Sequence, residues 1–310
     1  MIKLFVFLCF SIVAGRQASS DGTVLFGHNE DDSGVKEFFM NRSPQGLWAE
    51  VPGYLAADGF VNRWGVAIAS DSCPSREDRE DFTDGGVLYE VRYNVYCKAR
   101  SARDAALLIG EIVESRGYTG SGRSYIVADS REAWVVSVVR GRHWVARRVP
   151  DDAVMTIPNY YTIGEVDLSD KKNFLGSQDL IEYAVSRGWY DPGRDGNFSF
   201  RDAYAAPATM TSDHNTGRHS TALEGLGLSY DPSQVSFCIK PSSKITLQKM
   251  EELLSARPVS APSTIYSFVY QAGRKISQLW FCPEKPCGGT FSPIMIEGEP
   301  MRRGYAIKNE

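Results

Sequence analysis

The sequence predicts an α+β chain in which antiparallel sheets pack on one another and helices cover the outside. Three observations lead there. Short apolar segments arrive in pairs across turn residues, the pattern of antiparallel hairpins. Two longer stretches, after Ser101 and after Thr246, carry apolar residues at helical spacing. These helices fall between groups of strands, which suits layers of sheet with helices outside.

Taken in order, residues 10–16 and 23–28 are apolar or alternating. Between them lies Ala18-Ser19-Ser20-Asp21-Gly22, where Asp-Gly signals a hairpin. The chain thus begins with a hairpin, and Cys9 stands at the tip of its first strand. Trp64 to Ala69 reads as another strand, and 85–100 as a helix of weaker periodicity. Ser101 caps the clearest helix, with Asp104 three residues on. Ala105, Leu108, Ile109, Ile112 and Val113 form its apolar stripe, and Gly117 ends it. A meander follows over 124–128, 133–139 and 143–148, with 153–157 as a fourth strand before Pro158-Asn159. Its separators, Asp129-Ser130-Arg131-Glu132 and Arg140-Gly141-Arg142, are turn-like. Residues 165–220 are irregular, with short helices at 180–186 and 200–204. A strand at 235–239, a helix over 246–256 and a hairpin of 264–270 with 276–281 complete the chain. In that last helix Leu247, Met250, Leu253 and Leu254 face inward.

Composition narrows the function. Hydrophobic residues at 43% and charged residues at 23% are ordinary for a soluble globular chain. A net charge of -4 leaves no electrostatic footprint for nucleic acid. Lys and Arg are scattered except over 140–148, where their alternation with apolar residues reads as a solvated sheet face. The six cysteines (Cys9, Cys73, Cys97, Cys238, Cys282 and Cys287) are too sparse for a disulfide scaffold and contain no CxxC pair, and the four histidines show no metal-ligand spacing. Cys282 and Cys287 flank a Pro-bounded loop and either bridge it or stand as two buried thiols.

The apolar run from Leu4 to Gly15, preceded by Lys3, is too short to span a bilayer and looks like the opening of a secretory signal. It points to export, with a cytoplasmic location left open and no membrane attachment once mature. A cut after Ala14 or Gly15 discards Cys9; a cut before Cys9 makes it the N-terminus. The second case is chemically distinctive. A thiol titrates near about 8.5 and an α-amine near about 7.7–8.0. The amine can therefore take the thiol proton and return it to a leaving amine, and water then hydrolyses the thioester. That chemistry requires no metal or organic cofactor.

Cys9, Gly15, Ala18, Asp21-Gly22 and Asn29-Glu30-Asp31 resemble the start of the dipeptidase A family. These are N-terminal-nucleophile hydrolases related to the secernins and, more distantly, to penicillin V acylase and bile salt hydrolase. Val61-Asn62-Arg63-Trp64-Gly65-Val66-Ala67 is similar to the family's "NExGVAI" strand, with Arg63 where glutamate is usual. Tyr125 to Asp129, Glu132-Ala133-Trp134 and 141–146 match its central meander. Pro158-Asn159-Tyr160-Tyr161-Thr162-Ile163-Gly164, then 200–204 followed by Arg218, and finally Trp280, Pro286-Cys287 and 291–294 continue the likeness. It covers nearly the whole chain.

The resemblance implies a four-layer αββα sandwich and hydrolysis of an amide bond in a dipeptide or small peptide. It implies a leader over 1–8 that is removed and one catalytic domain over 9–310. Cys9 would be the nucleophile. Asp31 would hold the α-amine or orient the thiol. His28 occupies a position where arginine or histidine is common and would favour thiolate. Asn159 would donate to the oxyanion, and Arg218 would support the nucleophile or a substrate carboxylate. Read without the family, Arg218 lies in a polar loop as a solvated side chain, and turn roles for Asp31 and Asn159 stand as the alternative to function. A leader of eight residues departs from the family, whose members start at Met-Cys or after a full signal or propeptide. The rivals are an N-acyl amide hydrolase of the penicillin or bile-salt type and a non-catalytic exported binding protein. Homo-oligomerisation stays open.

Overall fold

The computed structural model describes residues 9–52, 59–79, 86–234, 238–274 and 277–307. The expected leader 1–8 lies outside the described residues, as do Gly85, 235–237 and Ile276 at the margins of expected elements. In chain order the elements are β1 (Phe10–Ala14), β2 (Val24–Asp31), β3 (Glu37–Ser43), β4 (Gly46–Glu50), β5 (Gly59–Asn62), β6 (Ala67–Ser72), α1 (Glu90–Lys98), α2 (Ala102–Arg116), β7 (Arg123–Ala128), β8 (Ala133–Val138), β9 (Trp144–Arg148), β10 (Val154–Ile157), β11 (Phe174–Gly176), α3 (Leu180–Ser186), α4 (Phe200–Tyr204), α5 (Pro207–Met210), α6 (Asp213–Gly225), β12 (Cys238–Ile239), α7 (Leu247–Ser255), β13 (Thr264–Ala272), β14 (Gln278–Cys282), β15 (Ser292–Ile294) and β16 (Met301–Ala306).

The strands form two antiparallel sheets. One has seven strands in the order β12-β10-β1-β2-β13-β14-β15; the other has nine, β11-β9-β8-β7-β6-β5-β4-β3-β16. An apolar core including Val13, Phe26, Phe60, Val135 and Phe268 fills the space between them. Helices α1 and α2 cover the outer face of the nine-stranded sheet, where Val95, Ala105, Ile109 and Val113 pack with Tyr125 and Trp134. Helices α6 and α7 cover the other sheet, where Leu223, Met250 and Leu254 meet Phe10, Ile12 and Leu25. The result is the four-layer αββα arrangement. Among the described residues no helix is long and apolar enough to cross a membrane.

Local chemistry explains the elements that place the site. Gly22 takes the left-handed φ of 77° that lets the chain return from β1 to β2. Gly15 follows β1 where the chain passes so close to the Pro150 carbonyl that a Cβ would clash with it. Ser101 Oγ accepts from the Asp104 N–H at 3.1 Å to cap α2, and Thr246 Oγ1 accepts from the Lys249 N–H at 2.9 Å to cap α7.

Several expectations change. The strand expected at Trp64–Ala69 starts later: Asn62 to Gly65 is a turn, closed by Asn62 Oδ1 and a Gly65 φ of 73°. The fourth strand of the meander, β10, leaves its neighbours and joins the other sheet beside β1. The basic run over 140–148 is not a solvated face. Trp144, Val145 and Ala146 are buried, and Arg148 is held by Glu132 at 2.7 Å and Asp151 at 2.6 Å. Cys282 and Cys287 are free thiols rather than a bridge. The apolar run that resembled a signal contains β1, an inner strand flanked by β10 and β2. A cut after Ala14 would strip both neighbours of their shared partner.

Candidate active site

The β1–β2 hairpin pairs Phe10 with Asn29 and Ser11 with His28. One further step along the ladder sets Cys9 opposite Glu30. Alternation then sorts the side chains. Cys9, Ser11, Glu30 and His28 point between the two sheets, whereas Phe10, Asn29 and Asp31 point toward α6 and α7.

Between the sheets runs a continuous polar chain. Cys9 Sγ donates to Glu30 Oε1 at 3.3 Å, and Glu30 Oε2 lies 3.2 Å from His28 Nε2. His28 Nδ1 lies 2.8 Å from Ser11 Oγ, and Ser11 donates to Asp71 Oδ2 at 2.7 Å across from β6. Ser11 has one proton and gives it to Asp71, so His28 Nδ1 carries a hydrogen and donates to Ser11. Burial is nearly complete along the chain, with Glu30, at 3%, the most exposed member.

On the helix side the organiser is Arg218. Its Nη2 sits 2.8 Å from Asp31 Oδ2 and donates to the Val259 carbonyl at 2.7 Å. Its Nη1 donates to the Cys9 carbonyl at 3.3 Å and to Asn159 Oδ1 at 3.4 Å. Asp31 Oδ1 also accepts from Thr264 Oγ1 at 2.5 Å. Asn159 follows β10, whose register pairs Ile157 with Ser11; continued two steps, it brings Asn159 beside Cys9. Its Nδ2 donates to the Ser72 carbonyl at 3.1 Å.

The expected residues therefore assemble, with corrections. Arg218 is neither in a loop nor solvated: it lies on α6 with no exposed surface. Asp31 and Asn159 are not turn acid and turn amide but buried partners of that arginine. The Asp31 carboxylate faces Arg218 and Thr264 rather than the sulfur. His28 belongs to the inter-sheet chain, bonded to Glu30 and Ser11. Glu30, Ser11 and Asp71 escaped the sequence reading as site residues. Hairpin alternation from Cys9 would have found Glu30 and Ser11, whereas nothing local marks Asp71.

Electrostatics set the resting state. Burial pushes the Cys9 thiol well above its ordinary value, and the Glu30, Asp71 and Asp31 carboxylates add to this. The sulfur is therefore a protonated thiol at neutral pH. Burial raises Asp71 to about 7 against the pull of His28 and Ser11. Burial also raises Asp31, opposed by Arg218 and Thr264. The sulfur of Cys9, a ring nitrogen of His28 and a carboxylate oxygen of Glu30 lie within 4.8 Å of one another, a donor set able to hold a metal ion.

The chain is similar to several known proteins. A probable dipeptidase A of Streptococcus pyogenes serotype M3 (strain SSI-1) is 25% identical over 314 residues, covering 89% of this chain and 66% of that protein. A probable dipeptidase of Salmonella dublin is 28% identical over 247 residues, covering 69% of this chain and 57% of that protein. The chain thus spans less than two thirds of the length of these curated relatives. Among solved structures, penicillin V acylase from Agrobacterium tumefaciens aligns at a TM-score of 0.45 and 12% identity, over 92% of this chain and 86% of that one. A variant of conjugated bile acid hydrolase from Clostridium perfringens aligns at 0.47 and 11% identity, over 97% and 98%. Residues 81–277, a span that includes both Asn159 and Arg218, match the model of peptidase family C69. That match takes in well over half of the sequence, and the chain belongs to peptidase family C69.

Proposed function

We propose that this chain is a cysteine-nucleophile hydrolase that cleaves the amide bond of dipeptides or small peptides through a thioester on Cys9. One observation carries the reading. A single buried guanidinium, Arg218, fastens the Cys9 carbonyl, the Asn159 side chain and the Asp31 carboxylate into one unit. The nucleophile's backbone is thereby held fixed while its side chain projects between the sheets.

In this mechanism removal of residues 1–8 leaves 9–310 as the catalytic domain and frees the α-amine of Cys9. The amine takes the thiol proton, and as an ammonium beside the sulfur it offsets the surrounding carboxylates that disfavour thiolate. The thiolate attacks the scissile carbonyl. The Asn159 amide, which keeps one N–H on Ser72, turns the other toward the oxyanion; such a donor is worth about 2.7–4 kcal/mol. The ammonium then protonates the leaving amine, and water hydrolyses the thioester. Retention of β1 as an inner strand supports a cut before Cys9 rather than after Ala14. The dipeptidase names of the relatives support dipeptides over N-acyl amides as substrates.

The test is mass spectrometry of the mature N-terminus together with turnover on a panel of dipeptides and N-acyl amides. A chain beginning at Cys9 that hydrolyses dipeptides and loses activity in Cys9→Ser is the expected result. A chain beginning at Arg16, or undiminished turnover in Cys9→Ser, overturns the mechanism. Activity on N-acyl amides alone keeps the chemistry and replaces the substrate.

A further inference from the structure

We propose that Cys9, His28 and Glu30 form a zinc site that silences the nucleophile, with the freed α-amine of Cys9 as fourth donor. The fourth donor rests on the maturation reading above; the three side-chain donors do not.

The donor set is a thiolate sulfur, an imidazole nitrogen and a carboxylate oxygen, a mixture suited to zinc. Zinc bonds of about 2.0–2.3 Å in a tetrahedron set donor–donor separations of about 3.3–3.7 Å. Here Cys9 Sγ and Glu30 Oε1 are 3.3 Å apart, and Glu30 Oε2 and His28 Nε2 are 3.2 Å apart. All three groups present donor atoms within 4.8 Å of one another. A single Glu30 oxygen serves the ion, so the three donor atoms, within 4.8 Å of one another, draw in to about 3.3–3.7 Å.

The surroundings prepare the donors. Ser11 and Asp71 hold the hydrogen on His28 Nδ1, which leaves Nε2 as the donor nitrogen facing Glu30 and the thiol. A ligating histidine anchored through its other nitrogen is the usual outer-shell arrangement of zinc sites. The three side chains are buried, and thiolate plus Glu30 carboxylate balance a divalent charge. In the trimmed chain the amine and sulfur of Cys9 close a five-membered chelate ring and complete the tetrahedron, so no position is left for a catalytic water. Binding displaces the one proton that the Cys9 thiol holds (shared with its α-amine in the trimmed chain) and the one held between His28 Nε2 and Glu30 Oε2. Both go to solvent; no electron moves and no bond to carbon changes.

The experiment titrates Co²⁺ and then Zn²⁺ into the full-length chain and the chain trimmed to Cys9, following near-ultraviolet thiolate-to-cobalt absorption and proton release. The expected result is one equivalent of Co²⁺, displaced by Zn²⁺. Two protons are released by the full-length and the trimmed chain alike, and the trimmed chain binds the tighter for its fourth donor. Cys9→Ser abolishes the absorption, and Glu30→Gln and His28→Gln each weaken binding at least about tenfold. Should His28→Gln fail a circular-dichroism check of folding, Glu30→Gln carries that arm. No absorption, or the same absorption in Cys9→Ser, overturns the site. Peptide turnover on the same samples separates the two proposals. Absorption without turnover keeps the zinc site and removes the peptidase; turnover that zinc leaves untouched removes the zinc site alone.

Discussion

Asp31 and Arg218 form an ion pair at 2.8 Å in which neither side chain reaches solvent. The pair joins the end of β2 to the middle of α6 and reaches Cys9 through the other terminal nitrogen, Nη1. Two buried charges are costly singly and tolerated only together. The same pair thus locks the helix layer onto the sheet and holds the Cys9 carbonyl.

Arg218→Met strands the Asp31 carboxylate without its cation. The expected loss is about 3–5 kcal/mol of stability, with turnover lost alongside. Denaturant titration of purified protein measures it. A midpoint equal to the parent's would mean that α6 docks without the pair.

Asn159→Ala removes the proposed oxyanion donor, its hydrogen bond to the Ser72 carbonyl and the acceptor of Arg218 Nη1. Stability should fall by about 1–3 kcal/mol. The turnover number should fall about 10²–10³-fold with KM little changed. Steady-state kinetics decide, and a KM effect alone would assign Asn159 to substrate binding.

Asp71 makes stability pH-dependent. Its folded pKa of about 7 lies above the ordinary 3.8, so the folded chain holds this proton more tightly than the unfolded one. The contribution is complete below pH 3.8 and drains away as pH rises to about 7. Asp71→Asn cannot ionise and escapes that loss. Relative to the parent, its stability should improve by about 2–4 kcal/mol between pH 4 and pH 8. Urea melts at both pH values would show parallel behaviour if Asp71 were an ordinary carboxylate.

Gly15→Ala drives a methyl into the carbonyls of Pro150 and Asp151, both of them backbone atoms. The expected cost is about 1–3 kcal/mol, because β1 or the 150–151 segment must move. Thermal melting tests it, and turnover should fall as Cys9 shifts with β1. An unchanged melting temperature would show that the segment yields freely.

Much of this protein was legible in its residues alone. Asp21-Gly22 with flanking apolar segments determines the first hairpin and puts Cys9 at its tip. The stripes after Ser101 and Thr246 determine α2 and α7, because a helix that buries one apolar face must repeat it locally. The order of motifs determines the family and names Cys9, His28, Asp31, Asn159 and Arg218. Tertiary structure alone decided how they meet. Helix α6 has no clean apolar stripe because its buried face includes Asn215, Arg218 and His219, whose partners come from distant strands and loops. The strand β10 changes sheets, and Asp71 reaches Ser11 from the opposite one. Periodicity reports only which side of an element is apolar. A buried charge is tolerated only by its distant partner, and that pairing is written in the packing of layers rather than in any local run of residues.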